Sequence, residues 1–189
     1  MGRKRKLVIL LGSPRKRGNS ATLAGAAAAA AKKARADVES VYINGLDIRA
    51  CQGCDGCQRK GGRGCVQNDD MRSLYPKLLA ADALLFAGPV YWFNVSAQTK
   101  LFLDRLYALG SSRGHALKGK RIGLILTYAD ADPFRSGAVN ALRTFQDAFA
   151  YIGAGIVGMV FGSAWKAGEV RRNAKLMGEA RALGRDLCA

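Results

Sequence analysis

The sequence predicts an α/β fold, an open doubly wound sheet of five parallel strands with helices on both faces. Five short apolar runs recur along the 189 residues, each of strand length. Segments of helical periodicity or high helix propensity alternate with them, the pattern of βαβ units. No internal repeat and no long linker divides the chain, so one domain over residues 1–189 is expected.

In order, LVILLG (7–12) is a continuous apolar run, as in a strand buried on both faces. ATLAGAAAAAAKKARA (21–36) is low in complexity but rich in alanine, the strongest helix former. VESVYI (38–43) is the second strand, and a cysteine-rich loop, placed at 44–68, follows it. DDMRSLYPKLLAA (69–81) reads as a helix with Asp69 or Asp70 as N-cap, which Pro76 should bend or interrupt. ALLFAG (83–88) is the third strand, and SAQTKLFLDRLYALG (96–110) an amphipathic helix ended by Gly110. RIGLILTY (121–128) and GIVGMVFG (155–162) complete the strands, with helices over 136–152 and 168–187.

Thirty Lys and Arg against 14 acidic residues give a formal charge of +16, which attracts phosphates, acidic electron carriers or nucleic acid. The basic residues are spread along the chain and do not interleave with aromatics, so nucleic acid is not the expected partner. No apolar run approaches the ~20 residues that span a bilayer, so no membrane partner is expected. The opening MGRKRKLVILLG has a basic start, but its apolar stretch of about six residues is short for a secretory signal and no small-residue cleavage site follows. A cytoplasmic location is the expectation.

In such sheets, ligands bind where the strands end at their carboxyl edge. After the first strand, GSPRKRGNSAT (12–22) runs straight into a helix N-terminus, an anion site by its free N–H groups and dipole. Gly12 and Gly18 allow a tight turn, Ser13, Asn19 and Ser20 offer short hydrogen-bonding side chains, and Arg15, Lys16 and Arg17 add charge. The spacing is neither an NTPase P-loop nor a dinucleotide fingerprint, which leaves a phosphate-monoester cradle suited to FMN. After the third strand, GPVYWFNVSAQTK (88–100) places Tyr91, Trp92 and Phe93 beside Pro89, Val90 and Asn94, aromatics able to flank a flat ring. After the fourth, Thr127 and Tyr128 precede Asp130 and Asp132, which are too few and isolated for a metal site.

CQGCDGCQRKGGRGC (51–65) holds Cys51, Cys54 and Cys57 at three-residue spacing, with Cys65 beyond a spacer containing Gly61, Gly62 and Gly64. Zinc sites pair two C-x₂-C units, whereas a tight run plus one distant thiolate is closer to cubane iron–sulfur ligation. A cluster, zinc and a metal-free loop all remain open on spacing alone. Cys188 reads as a bystander and His115, the one histidine, as a surface residue.

Three segments taken in order, GSPRKRGNS, CQGCDGC…GCVQNDDM and GPVYWFNVSAQTKLFLDR, resemble the flavodoxin-like flavin reductases, in their NAD(P)H-dependent FMN reductase and iron–sulfur flavoprotein branch. The resemblance covers nearly the whole chain. It implies a flavodoxin-like sheet in strand order 2-1-3-4-5 and a homodimer or higher homo-oligomer whose partner covers part of the flavin. It also implies that Ser13, Arg15, Asn19 and Ser20 hold the FMN phosphate and that Pro89 to Asn94 line the ring, with Thr127 and Tyr128 nearby. By the same resemblance Cys51, Cys54, Cys57 and Cys65 would ligate a [4Fe–4S] cluster. Lys100, Asp104 and Arg105 match a recurrent helix pattern, the first two also reading as a surface i,i+4 pair.

The expected activity is oxidoreduction, with NAD(P)H as hydride donor and a flavin, quinone or protein as acceptor. No protein acid–base pair is needed, so no catalytic side chain is expected. Two alternatives stand beside it. One is an electron-transfer iron–sulfur flavoprotein without NAD(P)H activity of its own, served by an acidic carrier such as a ferredoxin. The other is a basic redox-sensing or nucleic-acid-binding module.

Overall fold

The computed structural model describes residues 3–59 and 64–189, so Gly61 and Gly62 of the cysteine spacer lie outside the described residues. Its strands are β1 (Lys6–Leu11), β2 (Asp37–Tyr42), β3 (Ala83–Tyr91), β4 (Asn94–Val95), β5 (Gly110–Ser111), β6 (Gly114–His115), β7 (Arg121–Tyr128) and β8 (Gly155–Ser163). The helices are α1 (Asn19–Lys33), α2 (Met71–Ala80), α3 (Ala97–Arg105), α4 (Ala138–Ile152) and α5 (Ala174–Asp186).

The central sheet runs β2-β1-β3-β7-β8, parallel throughout, which is the predicted order. Strand order reverses between β1 and β3, and that switch point opens a crevice at the carboxyl edge. Side chains alternate along each strand, so the sheet feeds two cores. Val8, Leu10, Leu84, Phe86 and Leu124 face Met71, Leu78, Phe102, Phe145 and Phe149 of α2, α3 and α4. Leu7, Ile9, Leu85 and Ile125 face α1 and α5. Phe86 anchors the first core, its ring 5.2 Å from that of Phe149 and 5.3 Å from that of Phe145. Burial of one such ring contributes about 1.5–3 kcal/mol. On the other face, the alanine run of α1 allows α5 to come close. A Cβ on Gly184 would stand 2.1 Å from the Ala27 carbonyl oxygen.

Several boundaries differ from the expectation, each for a local reason. The segment after 88 is not all loop: β3 continues to Tyr91 and turns back as β4, with Tyr91 opposite Asn94 and Val90 opposite Val95. Helix α3 ends at Arg105, a 3₁₀ turn spans Leu106–Leu109, and Gly110 is extended (φ −84°, ψ 155°), opening the β5–β6 hairpin instead of capping a helix. The final helical stretch is split, because Asn173 takes an extended conformation and caps α5, its side chain accepting from Leu176 N at 3.0 Å. Helix α2 passes through Pro76 unbroken. Asp70 precedes it but accepts from Asp47 N instead (2.8 Å), while Asp69 accepts from Met71 N (3.2 Å). His115 is half-buried, not a surface residue. Its Nδ1 accepts from Leu117 N, so Nε2 carries the proton and donates to the Leu106 carbonyl. Among the described residues no helix is long and apolar enough to cross a membrane.

Candidate functional site

The loops after β1, β3, β7 and β8 meet at the carboxyl edge in one cleft of about 510 Å³. Ten predicted residues line it: Ser13, Arg15, Gly18, Asn19, Ser20, Pro89, Val90, Tyr91, Thr127 and Tyr128. Lys16, Trp92, Phe93 and Asn94 do not. Lys16 turns away, its ammonium 5.1 Å from the centre of the Tyr42 ring. Sequence reading missed Ala129, Ala164, Trp165, Lys166 and Ala167, which complete the wall. The strand-end rule applied to the segment after β8 was the available signal.

Helix α1 presents its N-terminus to this cleft without a side-chain cap, since the N-cap is Gly18. Thr22 N bonds the Gly18 carbonyl at 3.0 Å, and the first-turn N–H groups before it have no acceptor within the helix. No acidic residue occupies that turn. Ser20 is buried, and its hydroxyl has no partner among the described residues. Ser13, also buried, accepts from Arg15 N at 3.1 Å, which sets the bend of the loop. Free N–H groups, two hydroxyls and the Arg15 cation together suit a small anion. The Asn19 amide, by contrast, is committed to protein, donating to the carbonyls of Ala164 (3.2 Å) and Lys166 (3.0 Å). Its backbone N–H is what Asn19 can offer a ligand.

Opposite the loop, Thr127 is buried and its hydroxyl is unpartnered among the described residues. Burial, then the nearby Asp132 carboxylate, pushes the Tyr128 phenol above its ordinary value, so it stays protonated at neutral pH. Asp130 and Asp132 are turn-formers, accepting from Asp132 N (3.1 Å) and Phe134 N (2.7 Å). Ser96, the N-cap of α3, braces the cleft floor by donating to the Gly12 carbonyl at 2.6 Å. Only glycine fits at 12, where a Cβ would stand 2.0 Å from Thr99 Oγ1.

The β3–β4 hairpin carries Trp92 and Phe93 at its two turn positions, both with positive φ (47° and 64°). That is the signature of a type I′ turn, which favours Asn-Gly and strains bulky residues. The surroundings hold it there. Gly137 approaches so closely that a Cβ would lie 2.4 Å from Phe93 Cα, and Asn140 Nδ2 donates to the Phe93 carbonyl at 3.3 Å. Asn94 accepts from Val95 N (2.8 Å) and from the Thr144 hydroxyl (3.3 Å). Trp92 is 92% exposed at the tip.

The four loop cysteines are all free and line a second, narrow cleft of about 20 Å³ with Asp104, Arg105 and Tyr107. Gly53 and Asp55 take left-handed backbone, folding the run back on itself. Arg105 backs this cleft. It is 1% exposed, forms a two-pronged ion pair with Asp69, and donates to the Arg49 carbonyl (2.8 Å) and to Cys65 Sγ (3.2 Å). Lys100 and Asp104 form the expected exposed pair at 2.7 Å. The cysteines supply the donor atoms of a cluster, but the space between them has room for about one water. Among the described residues no three His, Cys, Asp or Glu side chains are grouped to hold a metal ion. As folded here, the loop does not fit a cubane.

Comparison with known proteins agrees with this architecture. The model of the family described as NADPH-dependent FMN reductase matches residues 5–166. An iron-sulfur flavoprotein of Archaeoglobus fulgidus is 43% identical over 124 residues, 66% of this chain and 54% of that protein. The matched part of the chain spans 54–59% of the length of the first three curated relatives it resembles. Among solved structures, the Trp repressor binding protein from Bacillus subtilis superposes with a TM-score of 0.69 at 26% identity, covering 94% of this chain and 99% of that one. The NAD(P)H:quinone oxidoreductase from Methanothermobacter marburgensis gives a TM-score of 0.75 at 17% identity over 98% of both chains, a likeness of fold. With the family match running from β1 to the loop beyond β8, the chain belongs to the NADPH-dependent FMN reductase family.

Proposed function

We propose that the cleft binds FMN and that the chain is an FMN-dependent oxidoreductase drawing on NAD(P)H. One observation carries this reading. The uncapped α1 N-terminus, with Ser13, Ser20 and Arg15, shares a single cleft with Pro89–Tyr91 and Thr127–Tyr128. The first group suits a phosphate monoester and the second a flat ring with a polar edge. Bound there, FMN would supply hydride and electron chemistry that no side chain of the cleft provides. The protein's part is placement. The first-turn N–H groups, Ser13 and Ser20 donate to the phosphate, Arg15 balances its charge, and Lys16 acts only at longer range. Pro89 and Val90 shape the seat of the ring, Tyr91 flanks it, and Thr127 and protonated Tyr128 offer hydroxyls to its edge. Gly18 lets the loop turn beneath the phosphate, and Asn19 contributes its backbone N–H.

Trp92, Phe93 and Asn94 stand outside the cleft on a braced tip, a placement that suits contact with a second copy of the chain covering the flavin. The acceptor in this reading is a flavin, quinone or protein, and the charge of +16 favours acidic carriers. A cytoplasmic location accords with it.

The test is titration with FMN and riboflavin of the wild type and Arg15→Ala. Loss of a charged hydrogen bond, about 1.5–3 kcal/mol, should weaken FMN by roughly tenfold or more and leave riboflavin little changed. Equal losses for the two ligands would remove the phosphate role. Failure of the bound flavin to bleach with NADPH or NADH would remove the reductase reading.

A second reading, an electron-transfer protein whose cysteines hold an iron–sulfur cluster, draws on the gathering of Cys51, Cys54, Cys57 and Cys65 in one cleft. It requires the loop to open beyond the form described here. Iron and sulfide analysis of anaerobically purified protein decides it.

A further inference from the structure

Asn19 opens α1 at the cleft, yet its side chain is spent on a distant part of the chain, the segment after β8. Nδ2 donates one hydrogen to the Ala164 carbonyl (3.2 Å) and the other to the Lys166 carbonyl (3.0 Å), while Oδ1 accepts from Val170 N (3.3 Å). Both N–H donors and the oxygen of the amide are thus in use. The residue is 8% exposed, and its partners lie 145, 147 and 151 residues further along the chain. These bonds clamp the β1–α1 turn to the segment after β8.

The clamped segment is otherwise held as one block. Ala164 N donates to the Tyr128 carbonyl at 2.7 Å, which ties its start to the end of β7. Glu169 accepts from Trp165 N and Lys166 N, both at 2.8 Å, and Gly168, at φ +81°, supplies the left-handed turn between them. Val170 is buried in the core against α1 and α5. Ala164, Trp165, Lys166 and Ala167 of this block line the cleft together with Ser13, Arg15, Pro89–Tyr91 and Thr127–Tyr128. Its position relative to the β1–α1 turn is therefore set by the Asn19 amide, and relative to β7 by the Ala164–Tyr128 bond.

Turning the amide toward a bound phosphate would leave two carbonyls and the Val170 N–H without partners. We propose that the Asn19 side chain is a positioning group and not a phosphate ligand. It sets the spacing between the anion-binding turn and the wall after β8, and so acts on every part of a molecule held between them. This replaces the role that the resemblance implies for Asn19. A phosphate ligand discriminates FMN from riboflavin; a residue that spaces the walls affects the two alike. The proposal rests on FMN occupying the cleft.

The experiment is fluorescence titration of wild type, Asn19→Ala and Glu169→Ala with FMN and with riboflavin, with Arg15→Ala as the phosphate control. Asn19→Ala should weaken both ligands by roughly three- to tenfold, the range of one neutral hydrogen bond. The ratio of the two affinities should stay within about twofold of the wild-type ratio, whereas Arg15→Ala shifts it. Glu169 is exposed and does not line the cleft, so Glu169→Ala loosens the same wall from outside and should give the same parallel loss. Time-resolved anisotropy of Trp165, the sole tryptophan in a Trp92→Phe background, should show faster local motion in both variants. Cooperative urea unfolding checks that each variant is folded, and Glu169→Ala carries the test if Asn19→Ala is not. A loss confined to FMN in Asn19→Ala would overturn the proposal by returning the amide to the phosphate. Wild-type affinities for both ligands in the folded variants would overturn it as well. Failure of the flavin reading shows differently, as wild type that binds neither ligand.

Discussion

Removing the Arg105 guanidinium as Arg105→Met should destabilise the fold by about 3–5 kcal/mol, the usual penalty for stranding one partner of a buried ion pair. The structure places this pair at that extreme. The side chains of Arg105 and Asp69 are 1% and 0% exposed, and both guanidinium Nη atoms bond the carboxylate. Without Arg105, Asp69 would retain only the N–H groups of Arg49 (3.1 Å) and Met71 (3.2 Å). Arg105 also ties down the Arg49 carbonyl and Cys65 Sγ, so the cysteine loop would loosen with it. Adding Asp69→Asn removes the stranded charge, and the double variant should be more stable than Arg105→Met alone. Urea unfolding of wild type, both single variants and the double gives the cycle, with a coupling of about 2 kcal/mol or more expected. A cost below about 1 kcal/mol for Arg105→Met, or strictly additive effects, would refute the reasoning. The pH dependence supplies a second check. Burial alone would raise the Asp69 carboxyl, but the bonds and charge of Arg105 and the N–H groups of Arg49 and Met71 outweigh it and hold it below its ordinary 3.8. Its contribution is therefore complete above the unfolded value and lost as pH falls through the lower folded one. Asp69→Asn should lose that part of the acid-unfolding slope.

Gly137→Ala should cost roughly 1–3 kcal/mol, because the residue sits at φ +76° and its Cβ would press on the Phe93 backbone; a lowered Tm with altered Trp92 fluorescence checks it. Ser96→Ala removes both the α3 cap and the bond to Gly12, about 1–2 kcal/mol by urea unfolding, and should hasten FMN dissociation in stopped flow. Lys100→Ala, which breaks only an exposed i,i+4 pair, should change stability by less than about 0.5 kcal/mol in the same assay.

The sheet was legible because each of its strands announces itself locally. LVILLG and RIGLILTY bury both faces and therefore read as continuous apolar runs. The loop after β1 was legible as one wall of the cleft because its glycines, short polar residues and helix start are contiguous. The rest depended on distance along the chain. Arg105 was legible only as a match to a recurrent helix pattern, because the partner it is buried with, Asp69, lies thirty-six residues earlier. Asp69 itself carried an ordinary cap signal, true in part, that concealed its second role. Trp165 and Lys166 join the cleft only because Asn19, 147 residues from Lys166, pulls their loop inward. The hairpin at Trp92–Phe93 lacks the Gly or Asn that normally marks its turn, so nothing in the sequence flagged it.

That hairpin also bears on how the protein could be engineered. A turn with two positive φ angles is most comfortable with Asn-Gly, and placing that pair at 92–93 should raise the melting temperature. The same exchange would erase the aromatic tip. A screen that ranks variants by heat resistance alone would thus favour the change that strips this surface of Trp92 and Phe93. Positions 92 and 93 are therefore where heat resistance and the proposed contact with a second copy would make opposite demands on one pair of residues.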